Sequence, residues 1–243
     1  MGLRRFSASS VEQQMACHAS ADLEDAIPGF EFPEVDETKG AKGRGSRFHV
    51  ISEDVVNETT PAEMAGFARG MAYVAGVRQR RRFTRHVEKE LTATWLTTKP
   101  TTKVDLALST LDELHVLDWK WGKIHVPVVG NGQLLYYAAS IAEVAPKAKG
   151  VHLHIVQPFS KDWDESTAEW YVTADELGAF MEDARMHEAE IQAGDRSFGP
   201  SEHCTFCPAN PHSRGDKGKP LCPAMMELLY PTPPIDIDEV LNG

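Results

Sequence analysis

Asp105 and the triplet Asp118-Trp119-Lys120 are residues whose types and spacing could do chemistry. Both fall in short β-rich runs, Lys103 to Ser109 and Leu114 to Trp121, with Leu111-Asp112-Glu113 as the turn between them. An antiparallel hairpin of this kind brings two carboxylates and an ammonium to one end. Strand side chains repeat every two residues, so Asp118 and Lys120 share a face. Two carboxylates can hold Mg²⁺ or Mn²⁺ with several waters retained, and a lysine beside them orients or activates an attacking water. That is equipment for phosphodiester hydrolysis. By spacing alone, an exposed hairpin with a salt bridge accounts for the same residues.

The second constellation is sulfur. Of the four cysteines, Cys17 stands near the N-terminus while Cys204, Cys207 and Cys222 lie together near the other end. Cys204-x-x-Cys207 puts two thiolates within reach of one metal centre, and a loop containing Gly215, Gly218 and Pro220 can fold Cys222 back toward them. Cys17 can supply the fourth ligand, or His203 or His212 can replace it in a structural Zn²⁺ site. Unliganded thiols also satisfy the pattern. A third feature is basic: Arg78, Arg80, Arg81, Arg82 and Arg85 occupy one short run and could contact phosphates, or could sit at a solvated helix end where the dipole favours them.

The elements that must position these groups follow from periodicity. Ser10 and Gln13 suggest a capping box for a helix carrying Cys17 and reaching about Leu23. Residues 28–45, rich in Gly, Pro and charge, read as a surface loop. Thr60, Pro61 and Glu63 open a long helix expected to reach about Arg85. Val87 to Trp95 alternates loosely and completes an antiparallel meander with the two runs above. Then come a helix over Gln133–Val144, strands over Val151–Gln157 and Glu169–Val172, and a helix capped by Thr173 and Glu176 that reaches about Gln192. The order points to a mixed α/β core. A proline-rich tail, Pro231-Thr232-Pro233-Pro234, closes the chain.

Composition sets limits. At 243 residues and 42% hydrophobic, the chain can bury a core without staples, so four cysteines imply ligation or reduced thiols in a reducing compartment. The formal charge of -11 argues against indiscriminate coating of nucleic acid or anionic membrane. No run approaches the roughly 18 apolar residues of a membrane helix, and MGLRRFSASSVEQQ has no apolar core for secretion. The expectation is a cytoplasmic protein with no membrane partner.

Further residues give these constellations a family likeness. Gly45-Ser46-Arg47-Phe48-His49 precedes the long helix, Glu90 begins the meander, and Gln133-Leu134-Leu135-Tyr136-Tyr137 follows it. In order, they resemble the RecB-like branch of the PD-(D/E)XK nuclease superfamily. Leu117-Asp118-Trp119-Lys120-Trp121-Gly122, Asn131-Gly132-Gln133-Leu134-Leu135-Tyr136-Tyr137-Ala138, Ile155-Val156-Gln157-Pro158 and His203-Cys204-Thr205-Phe206-Cys207-Pro208 are similar to a phage and prophage group of such nucleases, over roughly Ser9 to Ala224. The family often has a glycine three residues before the first aspartate; this chain has Thr102.

The resemblance implies a restriction-endonuclease-like core, a central mixed sheet flanked by helices, with an iron-sulfur appendage joining the N- and C-terminal segments. The corresponding divisions are an N-terminal helix within 1–27, the nuclease core over 45–195, the cysteine segment over 196–228 and a flexible tail over 229–243. Asp105 and Asp118 would ligate Mg²⁺ or Mn²⁺, with the Trp119 carbonyl, His49 and Glu90 as further ligands. Lys120 would position water and stabilise charge, while Gln133 and Tyr137 would brace the site or touch nucleic acid. Cys17, Cys204, Cys207 and Cys222 would hold a [4Fe-4S] cluster, as in iron-sulfur nucleases of the AddB type and the CRISPR-adaptation exonucleases, with structural Zn²⁺ as the alternative. The implied function is a DNA exonuclease acting on single strands or ends, with phage recombination proteins as partners, in an infected or lysogenic host cell. A structure-specific endonuclease and a vestigial DNA-binding accessory protein are the alternatives; oligomeric state is left open.

Overall fold

The computed structural model describes residues 6–22, 61–78, 81–122, 125–159, 168–207, 209–210 and 222–229. The expected surface loop over 28–45, His49, Arg80, His212, the loop containing Gly215, Gly218 and Pro220, and the proline tail lie outside the described residues.

Strands β1 (Thr84–Thr92), β2 (Thr101–Ser109), β3 (Leu114–Trp119), β4 (Gly150–Val156) and β5 (Glu169–Thr173) form one sheet in sequence order. The first three make the expected antiparallel meander; β4 joins β3 in parallel and β5 returns antiparallel, giving a mixed α/β fold. A parallel step needs a crossover, and helix α3 (Gly132–Ile141) supplies it. Helix α4 (Ala174–Ala193) follows β5 and packs on the same side as α3, whereas α2 (Pro61–Arg78) covers the other face.

Alternation along β3 shows why two faces are needed. Leu114 and Val116 join the cluster under α3 and α4, while Leu117 and Trp119 join Val74 and Val77 of α2. Helix α2 approaches so closely that a Cβ at Gly70 would lie 2.8 Å from the Trp119 ring. The α2 face also holds a buried polar chain: Tyr73 hydroxyl to His154 (2.8 Å), His154 to His115 (3.0 Å) and His115 to Glu113 (2.9 Å). Burial pulls the His115 pKa down, against the raising effect of Glu113.

Two helix ends differ from expectation. The first helix, α1 (Val11–Ala16), stops well before Leu23 because Cys17 turns extended, and Ser10 makes no side-chain cap. Helix α2 ends at Arg78 rather than Arg85, since Phe83 and Val87 pack against its face and the chain from Thr84 pairs with β2. Tertiary pairing here overrides helical propensity. The Thr173 capping box is present, with Thr173 Oγ1 accepting from the Glu176 amide and Glu176 accepting from the Thr173 amide. Asn131 caps α3 by accepting from the Leu134 amide at 3.0 Å.

The chain between β1 and β2 is tied down by Glu188 of α4. This carboxylate is 1% exposed and accepts from the amides of Thr97 (2.8 Å) and Thr98 (3.0 Å) and from the Thr98 hydroxyl. Replacing it with leucine removes the acceptor of two amides and a hydroxyl that are at most half-buried, so the loss of about 1–3 kcal/mol that an unpaired buried donor costs is an upper bound for each. Glu188→Leu is expected to lower unfolding stability by about 3 kcal/mol, read as a reduced urea midpoint at unchanged slope.

Candidate active site and cysteine cavity

Register assembles the acidic site. Val87 and Lys89 pair with Leu106 and Val104, which sets Glu88 opposite Asp105; continuing the pairing of Leu106 with Leu117 sets Asp105 opposite Asp118. Three carboxylates therefore stand in a row across adjacent strands, on the face that α3 covers. Glu88 adopts φ 47°, a left-handed conformation rare for a residue with a Cβ. Glu90, the expected acidic residue of β1, is exposed and pairs with Lys103 two residues along the ladder. Glu88 was missed because the alternation breaks at its left-handed φ: Val87 packs on the α2 face, whereas Leu91, of the same parity, packs under α3.

Cations and amides offset the repulsion within the row. Lys103 Nζ lies 2.7 Å from Glu88 and Lys120 Nζ 2.8 Å from Asp118. The Trp119 amide donates to Asp105 Oδ2 at 2.9 Å. Lys120 also donates to Gln133 Oε1 at 2.7 Å, and Gln133 Nε2 donates to the Tyr137 hydroxyl at 2.8 Å. One turn of α3 separates Gln133 from Tyr137, so both side chains reach the same point. Asp118, Lys120, Gln133 and Tyr137 thus form one continuous chain. Burial raises the Tyr137 pKa far above the ordinary phenol value, and the charges of Asp118 and Asp105 raise it further. The hydroxyl stays neutral throughout the physiological range.

A cleft of about 590 Å³ runs from Lys120 past His125 and Asn131 to His203. Trp119 and Trp121 are packed inward and flank the lysine. The arginine run sits elsewhere. Arg81 pairs with Asp112 (2.9 Å) and Glu113 (3.3 Å) at the turn between β2 and β3, and Arg78 and Arg82 border the same end. Arg85 opposes Leu108. Leu114 to Asp118 spans about 13 Å of strand, so these arginines lie at the end of the meander away from Asp118.

Cys17, Cys204, Cys207 and Cys222 line one small cavity, with no disulfide among them. The N-terminal segment reaches the cavity because it is bound to the far end of the chain. Ala19 N donates to Ser197 O at 3.1 Å, and a Cβ at Gly199 would overlap the Ala16 carbonyl at 1.7 Å. Cys204 Sγ accepts from the Ser201 amide at 3.3 Å. Burial pushes the Cys207 thiol up, the Ala209 amide opposes this, and the sulfurs of Cys204, Cys17 and Cys222 add to it. Among the described residues, ligand-type atoms gathered in threes within 4.8 Å belong to His18, His187 and Glu190 and to Glu113, His115 and His152. His203 faces the cysteine cavity and pairs with Glu12 at 3.3 Å.

The profile of a family described as protein of unknown function (DUF2800) matches residues 71–232, two thirds of the chain. No curated protein matches. Among solved structures, the crystal structure of SSO0001 aligns over 88% of this chain and 97% of that one, at 12% identity and a TM-score of 0.34.

Burial also raises the Tyr136 pKa. Two phenols, Tyr136 and Tyr137, are therefore expected to remain protonated at about pH 11, where ordinary tyrosines are mostly ionised. Ultraviolet titration of the folded protein checks this: Tyr137→Phe should leave the phenolate absorbance at that pH unchanged.

Proposed function

The chain belongs to this DUF2800 family, and we propose that it is a divalent-metal-dependent deoxyribonuclease of the PD-(D/E)XK type that degrades DNA from ends. The observation that carries the reading is the row of Glu88, Asp105 and Asp118 with Lys120 held 2.8 Å from Asp118. Carboxylates beside a strand-end carbonyl, that of Trp119, are the hard oxygen donors that suit Mg²⁺ or Mn²⁺. When bound, such an ion polarises the phosphoryl group and acidifies a water.

The side chains of the chain do the rest. The Trp119 amide fixes the orientation of Asp105. Lys120, anchored on Asp118 and Gln133, directs its remaining N–H toward the phosphate and stabilises the charge that develops there. Tyr137 holds Gln133, and its protonated hydroxyl keeps a donor at the buried end of the chain. The cleft beside Lys120 takes the strand, and Arg78, Arg82 and Arg85 are exposed to contact phosphates farther along it. Recombination or repair of phage DNA, with its recombination proteins as partners, is the setting this activity suits.

For the cysteines the reading is a [4Fe-4S] cluster fastening the chain ends. Four thiols around one cavity, one of them brought from the other end of the chain, match the ligand number of a [4Fe-4S] centre, with a Cys₄ Zn²⁺ site as the alternative. Hydrolysis moves no electrons, so the role is structural. Cys204→Ala is expected to lose iron and melt at lower temperature after anaerobic purification. An iron-free wild type of equal stability overturns the cluster.

The nuclease reading is tested with end-labelled linear and circular single-stranded DNA in Mn²⁺. The wild type is expected to digest the linear strand and spare the circle, and Lys120→Ala to lose about 10²–10³-fold in rate while still binding DNA. A cut circle makes the enzyme an endonuclease. If neither protein cuts while both bind, the chain is an accessory binder and the catalytic reading fails.

A further inference from the structure

His18, one residue past Cys17, is 5% exposed and faces α4. Its Nε2 lies 2.7 Å from His187 Nδ1, and Glu190 Oε2 stands 3.6 Å from the first nitrogen and 3.8 Å from the second. The other ring nitrogen of each histidine has a carboxylate behind it: Asp195 Oδ2 at 2.7 Å from His18 Nδ1, and Asp183 Oδ1 at 3.7 Å from His187 Nε2. Asp183, His187 and Glu190 share one face of α4, since four and then three residues separate them. Nothing in the proposed nuclease chemistry or in the cysteine cavity uses these groups.

We propose that His18, His187 and Glu190 bind one divalent transition ion of the Zn²⁺ class, with Asp195 orienting the His18 imidazole. Two ring nitrogens and a carboxylate converging within 4.8 Å are a three-ligand set with room for a fourth ligand from solvent. The Asp195 carboxylate on the distal nitrogen of His18 fixes the tautomer that turns its lone pair toward a metal and raises its basicity. Imidazole donors favour Zn²⁺ and its neighbours over Mg²⁺. Binding requires the two nitrogens to part from 2.7 Å to roughly 3.3 Å, which a rotation of the partly exposed His187 side chain allows. The ion would clamp the segment carrying Cys17 onto α4. This site is distinct from the acidic row and from the cysteine cavity.

The competing state is a plain hydrogen bond between the two imidazoles. Co²⁺ distinguishes them, because cobalt held by nitrogen and oxygen lacks the thiolate charge-transfer band that cobalt on cysteines shows. After dialysis against Co²⁺ and metal analysis, the wild type is expected to hold one equivalent more than His187→Ala, the difference spectrum carrying no thiolate band. Asp195→Asn should weaken that equivalent about 10–100-fold. Glu190→Gln, a near-isosteric change at a side chain 57% exposed, keeps the packing of α4 and should also weaken it. Zn²⁺ should raise the melting temperature of the wild type more than that of either α4 variant. Equal cobalt content in the wild type, His187→Ala and Glu190→Gln overturns the proposal, as does a difference spectrum dominated by thiolate charge transfer.

Discussion

Three like charges placed side by side across adjacent strands are the constraint on which the rest of the structure depends. Neighbouring strands lie about 4.8 Å apart, and two carboxylates at that distance repel by roughly 3 kcal/mol at the effective dielectric of a protein surface. Asp118 is 2% exposed and Asp105 9%, so solvent does little to relieve them. The surrounding groups answer that cost: Lys103 at Glu88, the Trp119 amide at Asp105 and Lys120 at Asp118. Lys120 in turn must be held where it serves, and the first turn of α3 does so through Gln133 and Tyr137. The crossover that makes β4 parallel to β3 is thus also the element that closes the acidic site.

The position of α3 ties this site to the chain termini. Glu12 of α1 accepts from the amide of Gly132, the first residue of α3, and pairs with His203 beside Cys204. A Cβ at Gly132 would lie 2.6 Å from the Glu12 side chain, so glycine is what permits the contact. Phe6 is 1% exposed and its carbonyl accepts from the Tyr136 hydroxyl at 3.0 Å, one residue before Tyr137. The N-terminal segment is therefore packed as part of the core, and Cys17 reaches the other three cysteines because of that packing. Acidic site and sulfur cavity are mechanically adjacent, joined through residues 12, 132 and 203.

Much of this arrangement was legible because it rests on local rules. Hairpin parity placed Asp105, Asp118 and Lys120 at one strand end, helical spacing joined Gln133 to Tyr137, and Thr173 with Glu176 marked the start of α4. The misses all needed non-local information. Glu88 and Glu90 share a parity in the sequence, and the left-handed φ at Glu88, which switches the faces between Val87 and Leu91, is not announced there. The end of α2 depended on Phe83 finding its neighbours in the sheet face. His18 and His187 are 169 positions apart, and no pattern in the sequence announces that they meet.

What most distinguishes the acidic row from ordinary surface charge is that it breaks local rules where the rest of the sheet obeys them. On the α2 face, Tyr73, His154, His115 and Glu113 pass hydrogen bonds along one chain, and burial lowers the His115 pKa. That network stabilises the packing it sits in. On the α3 face, Glu88 takes a left-handed φ without being glycine, and acids oppose acids in register. Backbone strain of that kind costs about 1–3 kcal/mol and persists where surrounding structure enforces it. Neutral residues at Glu88, Asp105 and Asp118 would make a more stable sheet, so what the acids cost in stability is best explained by a task that needs their charge together.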